Sequence, residues 1–294
     1  MLGLSCGGWL STGKTGLRPF RVMRTGNFMS DTNYLLDNRK VEAVQRFSAL
    51  SALFNPGTLR QFDACGLATG WHCWEVGAGG AELVRIMAER VGEGGRILAT
   101  DIDDSWAIEA ASPHVVVQKH DVALDPPPGE LFDLVHARLV LVHVPERERA
   151  FRNMISALKP GGWLVIEDAD PALQPLSCID AYGPEQERAN RIRQGFRALL
   201  ASRGADIAFG RRLPRMFREA GMTDLSAEAY FPVSMPECIS LEIATINMIR
   251  KDLLDNGIAT SNDIEGHLES AQNGTLDLSQ PPMISVRGRK PRAG

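Results

Sequence analysis

The stretch Cys73-Trp74-Glu75-Val76-Gly77-Ala78-Gly79-Gly80 decides how this chain is read. A short apolar strand runs straight into small residues, and glycine lets the backbone turn tightly there and approach a ligand closely, because a Cβ would block both. A helix follows with Leu83, Ile86, Met87 and Val91 inward and Gly92 at its end, the spacing of an amphipathic helix with a glycine stop. Strand, glycine turn and helix in that order open a unit of parallel sheet.

Toward the C-terminus the alternation repeats. Ile97-Leu98-Ala99-Thr100 ends at Asp101, and Val115-Val116-Val117 ends at His120-Asp121. A strand from Phe132 to Ala137 precedes a helix from about Glu146 to Leu158, which stops at Lys159-Pro160-Gly161-Gly162. Trp163-Leu164-Val165-Ile166 then ends at Glu167-Asp168. Short apolar strands alternating with amphipathic helices predict an α/β protein whose parallel sheet is covered on both faces. Toward the N-terminus, Asp37 or Asn38 caps a helix with Val41, Val44, Phe47, Leu50 and Leu53 on one stripe. Asn55-Pro56-Gly57 is expected to end it, Thr58 to begin a short second helix, and Gly66 to cap that one.

Composition narrows the partners. The 294 residues carry 32 Lys plus Arg against 36 Asp plus Glu, a net charge of -4. That balance argues against nucleic acid, whose binders show a basic excess. No apolar run approaches the roughly 18 residues needed to span a bilayer, which argues against a membrane protein. Cys6, Cys65, Cys73, Cys178 and Cys238 form no C-x-x-C pair. Neither a zinc site nor a disulfide framework is expected from that spacing, and the thiols read as small buried hydrophobes of a cytoplasmic protein.

Residues 1–28 differ from the rest: they hold no acid, several glycines, and Lys14, Arg18, Arg21 and Arg24. Gly8 to Thr15 satisfies the phosphate-loop pattern G-x-x-x-x-G-K-[ST], but that mechanism needs a buried strand before the loop and a helix after it. Gly3 and Gly7 on one side, with Gly16 and Pro19 on the other, oppose both. The stretch reads as a disordered leader, as an upstream start with the functional protein beginning near Met23 or Met29, or as a cleaved transit peptide.

In an open parallel sheet, ligands bind beyond the carboxyl ends of the strands, near the point where strand order reverses. Each strand here ends in polar or glycine residues. Asp101 is placed to accept hydrogen bonds from ribose hydroxyls, and Asp121 to take an exocyclic amine beside an apolar wall at Val122. Together these favour an adenosine-containing ligand. A dinucleotide fingerprint places a third glycine against the helix, with pyrophosphate on the helix N-terminus. Here that position is Glu82, which repels pyrophosphate but suits S-adenosylmethionine, a cation without phosphate.

At this point the sequence resembles the class I S-adenosylmethionine-dependent methyltransferases. The resemblance rests on Trp74 to Gly80, Ala99-Thr100-Asp101-Ile102-Asp103 and His120-Asp121-Val122. It extends through Phe132 to Arg138, His143 to Arg147 and Leu158 to Trp163, with weaker likeness at Gly210 to Pro214 and Pro282 to Arg289. The layout is similar to small-molecule methyltransferases of actinobacterial specialised metabolism. The resemblance implies a doubly wound, mainly parallel, seven-stranded Rossmann-like sheet, closed by an antiparallel hairpin of strands six (Ala227 to Val233) and seven (Met283 to Arg287). It also implies roles. Glu75, Gly77 and Gly79 line the methionine moiety and Asp101 lies at the ribose, with Ala78 and Ile102 also among the cofactor-binding residues. His120, Asp121 and Val122 surround the adenine, while Ala137 and Arg138 approach the sulfonium or carboxylate end.

The implied organisation is a leader at 1–28, a helical cap at 29–68, a cofactor-binding core at 69–172 and a helical insertion at 173–209. The C-terminal part, 210–294, completes the sheet and holds a second insertion at 236–275. Helices are expected at Glu185 to Ala201, Ile239 to Leu254 and Ser261 to Ala271. They roof the site as a lid, or serve as sheet covers or a homodimer surface. A roof excludes water, which strengthens electrostatics and suppresses side reactions.

A hydroxyl acceptor needs a group to take its proton. The candidates are His143, just past the fourth strand, and Asp168, at the end of the fifth. His136, inside a strand, reads as a satisfied core histidine; His72 and Tyr34 are candidate pocket residues, and Trp163 a packing one. Asn273-Gly274-Thr275 reads as a turn, and Arg287, Arg289, Lys290 and Arg292 as a solvated end. The expected function is methyl transfer from S-adenosylmethionine to a small organic molecule, at oxygen. The alternatives are a non-catalytic cofactor-binding regulatory or assembly protein on the same fold, and an NAD-dependent oxidoreductase, which Glu82 disfavours.

Overall fold

The strands that the apolar runs predicted are built around one sheet. The computed structural model describes residues 35–36 and 42–292. The leader with its Gly8 to Thr15 pattern, Cys6, Tyr34, the caps at Asp37 and Asn38, and Val41 lie outside the described residues. Strands β1 (His72–Val76), β2 (Arg96–Asp101), β3 (Val115–Lys119), β4 (Phe132–Arg138) and β5 (Leu158–Ala169) run parallel, and β6 (Thr223–Tyr230) and β7 (Met283–Arg289) complete the sheet. The order is β3-β2-β1-β4-β5-β7-β6, with β7 antiparallel to both neighbours. Strand order therefore reverses between β1 and β4, which puts the ligand crevice at their carboxyl ends.

The helices are α1 (Glu42–Cys65), α2 (Glu82–Val91), α3 (Arg147–Ser156), α4 (Pro184–Ser202), α5 (Leu213–Glu219), α6 (Pro236–Asp255) and α7 (Ser261–Gln272). Successive strand residues point to opposite faces. Trp74, Val135 and Leu164 thus join Phe151 of α3 and Phe217 of α5 in one core. Cys73, Leu134 and Val165 join Leu83 and Met87 of α2 and Phe62 of α1 in the other. A third cluster packs Ile192 and Leu199 of α4, Ile246 and Ile249 of α6 and Ile264 of α7 together with Leu35, Leu36 and Ala43. α7 starts with a complete capping box, Thr260 with Asp263, worth about 1 kcal/mol. No described helix is long and apolar enough to cross a membrane.

Several expectations are corrected. α1 does not stop at Asn55-Pro56-Gly57 but runs through Pro56 to Cys65. Proline in a helix interior costs about 3 kcal/mol. The second half of α1 is held by tertiary bonds that offset this: Asn55 Nδ2 donates to Glu82 Oε1 at 3.3 Å, and the Thr58 hydroxyl to Glu167. Val44 is exposed rather than on the buried stripe. β5 begins at Leu158, five residues before Trp163, because Lys159 to Gly162 continue in the ladder with an irregularity opposite Phe132 to Leu134. Gly162 is required there: a Cβ would lie 2.9 Å from the Phe132 carbonyl oxygen. β6 lies earlier, at Thr223–Tyr230, since Pro232 has no N–H for the ladder. Of the basic residues near the C-terminus, Arg292 is exposed beyond the last strand as expected, but the others do not form a solvated tail. Arg287 and Arg289 belong to β7, and Lys290 Nζ donates to the carbonyls of Ile155 at the end of α3, where the helix dipole favours a cation, and of Leu158 at the start of β5.

Candidate active site

The glycine turn after β1 takes a shape that only glycine adopts freely. Gly77 and Gly79 have φ of 65° and 59°, the left-handed region that disfavours side chains. Ala78 N–H donates to the Thr100 carbonyl at 3.0 Å, and Gly79 N–H to Asp101 Oδ2 at 2.9 Å. Asp101 Oδ1 accepts from the Asp103 N–H at 3.0 Å, so this carboxylate ties the ends of β1 and β2 together. Burial raises its pKa, and the amides of Asp103 and Gly79 oppose the rise. Beside it Ile102 is 52% exposed, an apolar surface at the crevice. Phe47 of α1 covers the turn: a Cβ on Gly79 would lie 2.8 Å from its ring, and one on Gly77 would lie 2.3 Å from Val140 Cγ2.

His120, Asp121 and Val122 follow β3 as expected, but their side chains are already engaged. His120 Nε2 lies 3.0 Å from the Pro126 carbonyl, its ring packs edge-on against Trp74 at 5.6 Å, and Val122 is in the core. Asp121 Oδ1 accepts from the N–H groups of Ala123 and Leu124. His72 opens β1 at the end of the sheet away from the crevice, which removes it as a pocket residue. Trp163 packs as read, with the Arg289 guanidinium 5.4 Å from its ring centre. The described cysteines, 65, 73, 178 and 238, are buried and free.

Beneath the crevice lies a charged network that the sequence reading did not assemble. Glu75 ends 2.6 Å from His136 Nδ1, and Glu167 lies 3.2 Å from His136 Nε2. His136 is fully buried, with its ring edge-on to Phe62 at 5.0 Å. Glu167 also accepts from Thr58 of α1 and, at 2.6 Å, from Ser285 of β7. Arg138 donates to Thr58 Oγ1 and Asn55 Oδ1 at 3.0 and 2.9 Å. Burial lowers the Arg138 pKa, against the charges of Glu167, Glu75 and Glu82. Ala137 is buried beside it. His136 is thus the satisfied core histidine it was read to be, and its partners are both carboxylates. The only sequence signal for Glu167 is an acid inside an apolar strand; Thr58, Asn55 and Ser285 carry none.

Burial alone would lower the pKa of His136, but the charge of Glu75 and the bonds to both glutamates outweigh it and raise it to about 9. Burial opposes ionisation of Glu167, yet His136, then Arg138 and Ser285, hold its pKa below the ordinary range. A histidine raised from 6.5 to about 9 contributes stability that is complete below pH 6.5 and lost as pH rises through 9. Between pH 7 and 9 the unfolding free energy should fall by about 2 kcal/mol on this account. Urea melts of the wild type and of His136→Gln across that range test it, because the excess slope should vanish in the variant.

The turn between β4 and α3 carries His143. Leu139 takes φ 58° without being glycine, held by its N–H on the Glu167 carbonyl at 2.8 Å. Such strain, of order 1–3 kcal/mol, persists only where its surroundings enforce it. Burial, reinforced by the charges of Arg46 and Arg147, lowers the His143 pKa to about 4, so its imidazole is neutral at pH 7. Asp168 is fully buried, and neither carboxyl oxygen completes a hydrogen bond among the described residues. Burial raises its pKa well above the ordinary value, while the nearby amides of Val142 and Leu141 and the charge of Arg147 offset only part of the rise. Asp168 therefore lies near the Leu141 and Val142 amides of the turn that also carries His143. A separate cavity of about 220 Å³, lined by Arg96, Gln118, Glu130 and Phe132, opens near the starts of β2 and β4 and takes no part.

The strand order, the glycine turn at the switch point and the acid ending β2 together define a class I methyltransferase fold. Residues 45–227 match the methyltransferase domain family, and the chain belongs to that family, which is S-adenosylmethionine-dependent. It is 34% identical over 131 residues to the ubiquinone/menaquinone biosynthesis C-methyltransferase of Salmonella arizonae, covering 41% of this chain and 52% of that protein. The chain thus spans about half the length of the curated relatives it matches. Phosphoethanolamine N-methyltransferase 2 of Haemonchus contortus, solved with phosphomonomethylethanolamine and S-adenosylhomocysteine, shares the fold with a TM-score of 0.55 at 16% identity, over 88% of this chain and 59% of that one. A cyclopropane-fatty-acyl-phospholipid synthase-like protein of Lactobacillus casei shares it with a TM-score of 0.51 at 16% identity, over 87% and 92% of the two chains.

The donor set fits S-adenosylmethionine. The turn at Gly77 and Gly79 presents backbone rather than side chains, and Glu75, Glu82 and Asp101 surround it with negative charge. That suits a sulfonium and a ribose better than a pyrophosphate.

Proposed function

We propose that this protein transfers a methyl group from S-adenosylmethionine to a hydroxyl oxygen of a small organic molecule. Glu75, Gly77, Ala78 and Gly79 would hold the methionine part and Asp101 and Ile102 the ribose. His120, Asp121 and Val122 would flank the adenine, with Ala137 and Arg138 at the sulfonium end. When bound, the cofactor supplies an electrophilic methyl group. The chain's residues place the acceptor in line with it, keep water out and receive the acceptor's proton. The observation that carries this reading is the place of His143 on the turn whose Val140 packs against Gly77, where burial lowers the His143 pKa. Asp168 lies near the Leu141 and Val142 amides of that turn, and burial raises its pKa well above the ordinary value. The buried free thiols suit a cytoplasmic location.

Carbon methylation is the second reading, favoured by the C-methyltransferase relatives. It needs the same proton acceptor where the carbon is activated by a neighbouring hydroxyl. Calorimetric titration should show binding of S-adenosylmethionine and S-adenosylhomocysteine and none of NAD; absence of the first two sinks the proposal. Asp101→Ala should weaken that binding about tenfold, the loss of a charge-assisted hydrogen bond pair. An unchanged dissociation constant removes its ribose role. Transfer of labelled methyl to phenols, sugars and carboxylates, with the product bond identified by mass spectrometry, separates oxygen from carbon.

A further inference from the structure

The network around His136 joins two things that the fold keeps far apart in sequence. On one side is Glu75, the last acid before the glycine turn, bonded to His136 Nδ1 at 2.6 Å. On the other is α1, whose Thr58 bonds Glu167 and whose Asn55 links Arg138 to Glu82 at the start of α2. The same helix, three turns earlier, lays Phe47 over Gly79 and Gly80. Phe47 also packs against the apolar clusters beside α1, and the bonds at residues 55 and 58 tie the same helix to the network.

We propose that His136 and Glu167 are positioning residues for cofactor binding: clamped between Glu75 of β1 and Thr58 of α1, they fix the carboxylate beside the glycine turn and the helix that covers the turn as one unit. This rests on the reading that the turn holds S-adenosylmethionine. His136 sits in β4, between β1 and β5 in the sheet. It faces Glu75 on β1, Glu167 on β5 and Phe62 on α1, with Arg138 two residues along its own strand. A neutral packing residue there would leave Arg138 alone to face both buried carboxyl groups. Losing a partner from such a buried group is costly, so His136 is what holds the Glu75 and Glu167 carboxyl groups in place beneath the cofactor turn.

Glu167 offers a comparison within one side chain. Oε2 accepts from Thr58 on α1, and Oε1 from Ser285 on β7. Each variant at those positions removes one neighbouring hydroxyl, but only Thr58 reaches the helix over the turn. With S-adenosylhomocysteine as the probe in calorimetry on the full chain, Thr58→Val should weaken binding at least fivefold. Thr58→Ser, which keeps the hydroxyl, should restore it to within twofold of wild type, and Ser285→Ala should leave it within twofold. Thermal melts confirm that each variant is folded. His136→Gln, where it folds, should weaken binding tenfold or more. Equal affinity for Thr58→Val and wild type, or equal losses for Thr58→Val and Ser285→Ala, overturns the coupling while the cofactor reading stands. A wild type that does not bind the probe overturns the cofactor reading and this inference with it.

Discussion

Trp74→Ala is expected to remove about 3–5 kcal/mol of folding stability, the range for deleting a fully buried tryptophan. Trp74 lies in β1 at the centre of the sheet with no exposed surface. Its ring packs against Phe132 at 5.8 Å and edge-on against His120 at 5.6 Å, and its Nε1 donates to Thr100 Oγ1 at 2.9 Å. Removal leaves a cavity between the sheet and the helices packed on that face, and it strips a partner from the buried Thr100 hydroxyl. A domain typically holds about 5–15 kcal/mol in total, so the variant should lie near the edge of folding. Urea unfolding gives the number. A loss below about 1 kcal/mol would mean that the site collapses freely, contrary to the packing. Trp74→Phe should cost less, since most of the volume remains.

His143→Ala is expected to lower methyl-transfer turnover about 10²–10³-fold, toward the lower part of what a general base contributes. The size follows from the pKa. A base held down at about 4 is fully neutral at pH 7 but has weak driving force for taking a proton. Affinity for S-adenosylhomocysteine should change less than twofold, because the loss falls on the chemical step. The pH profile carries the same signature: on account of His143, turnover should be level from pH 6 to 8 and show no inflection near 6.5, the value of a solvated imidazole. An inflection there places the ring in water. Asp168→Asn should retain turnover within about threefold, since burial already disfavours the charge that the amide removes; a loss like that of His143→Ala would make Asp168 the proton acceptor.

The parallel core was legible because its signals are local. The run from Cys73 to Gly80 holds strand, turn and helix start within eight positions, and the structure puts β1 and α2 where it did. The hairpin strands were found with both ends of β6 and the end of β7 shifted, because β6 is largely exposed and shows no inward pattern. Pro56 misled for a definite reason: a helix stop is a local preference of about 3 kcal/mol, and bonds from Asn55 and Thr58 to residues on other elements exceed it. The basic C-terminal residues misled likewise, because nothing near them in sequence reveals the carbonyls of α3 that they reach.

The sequence by itself determined the class of fold, the glycine turn and the acid that ends β2, since each depends on residues that are neighbours along the chain. Only the tertiary structure decided that Thr58, Glu75, His136, Glu167 and Ser285 share one buried network. Their meeting depends on strand order and on register, with Glu75 opposite His136 and Glu167 opposite Ser285. A shift of one residue in either pairing would turn those side chains to the other face of the sheet. The same holds for the two candidate acid–base groups. His143 and Asp168 differ in kind from ordinary histidine and aspartate because burial disfavours the charged form of each, and burial is a property of the packed fold that composition and spacing do not carry.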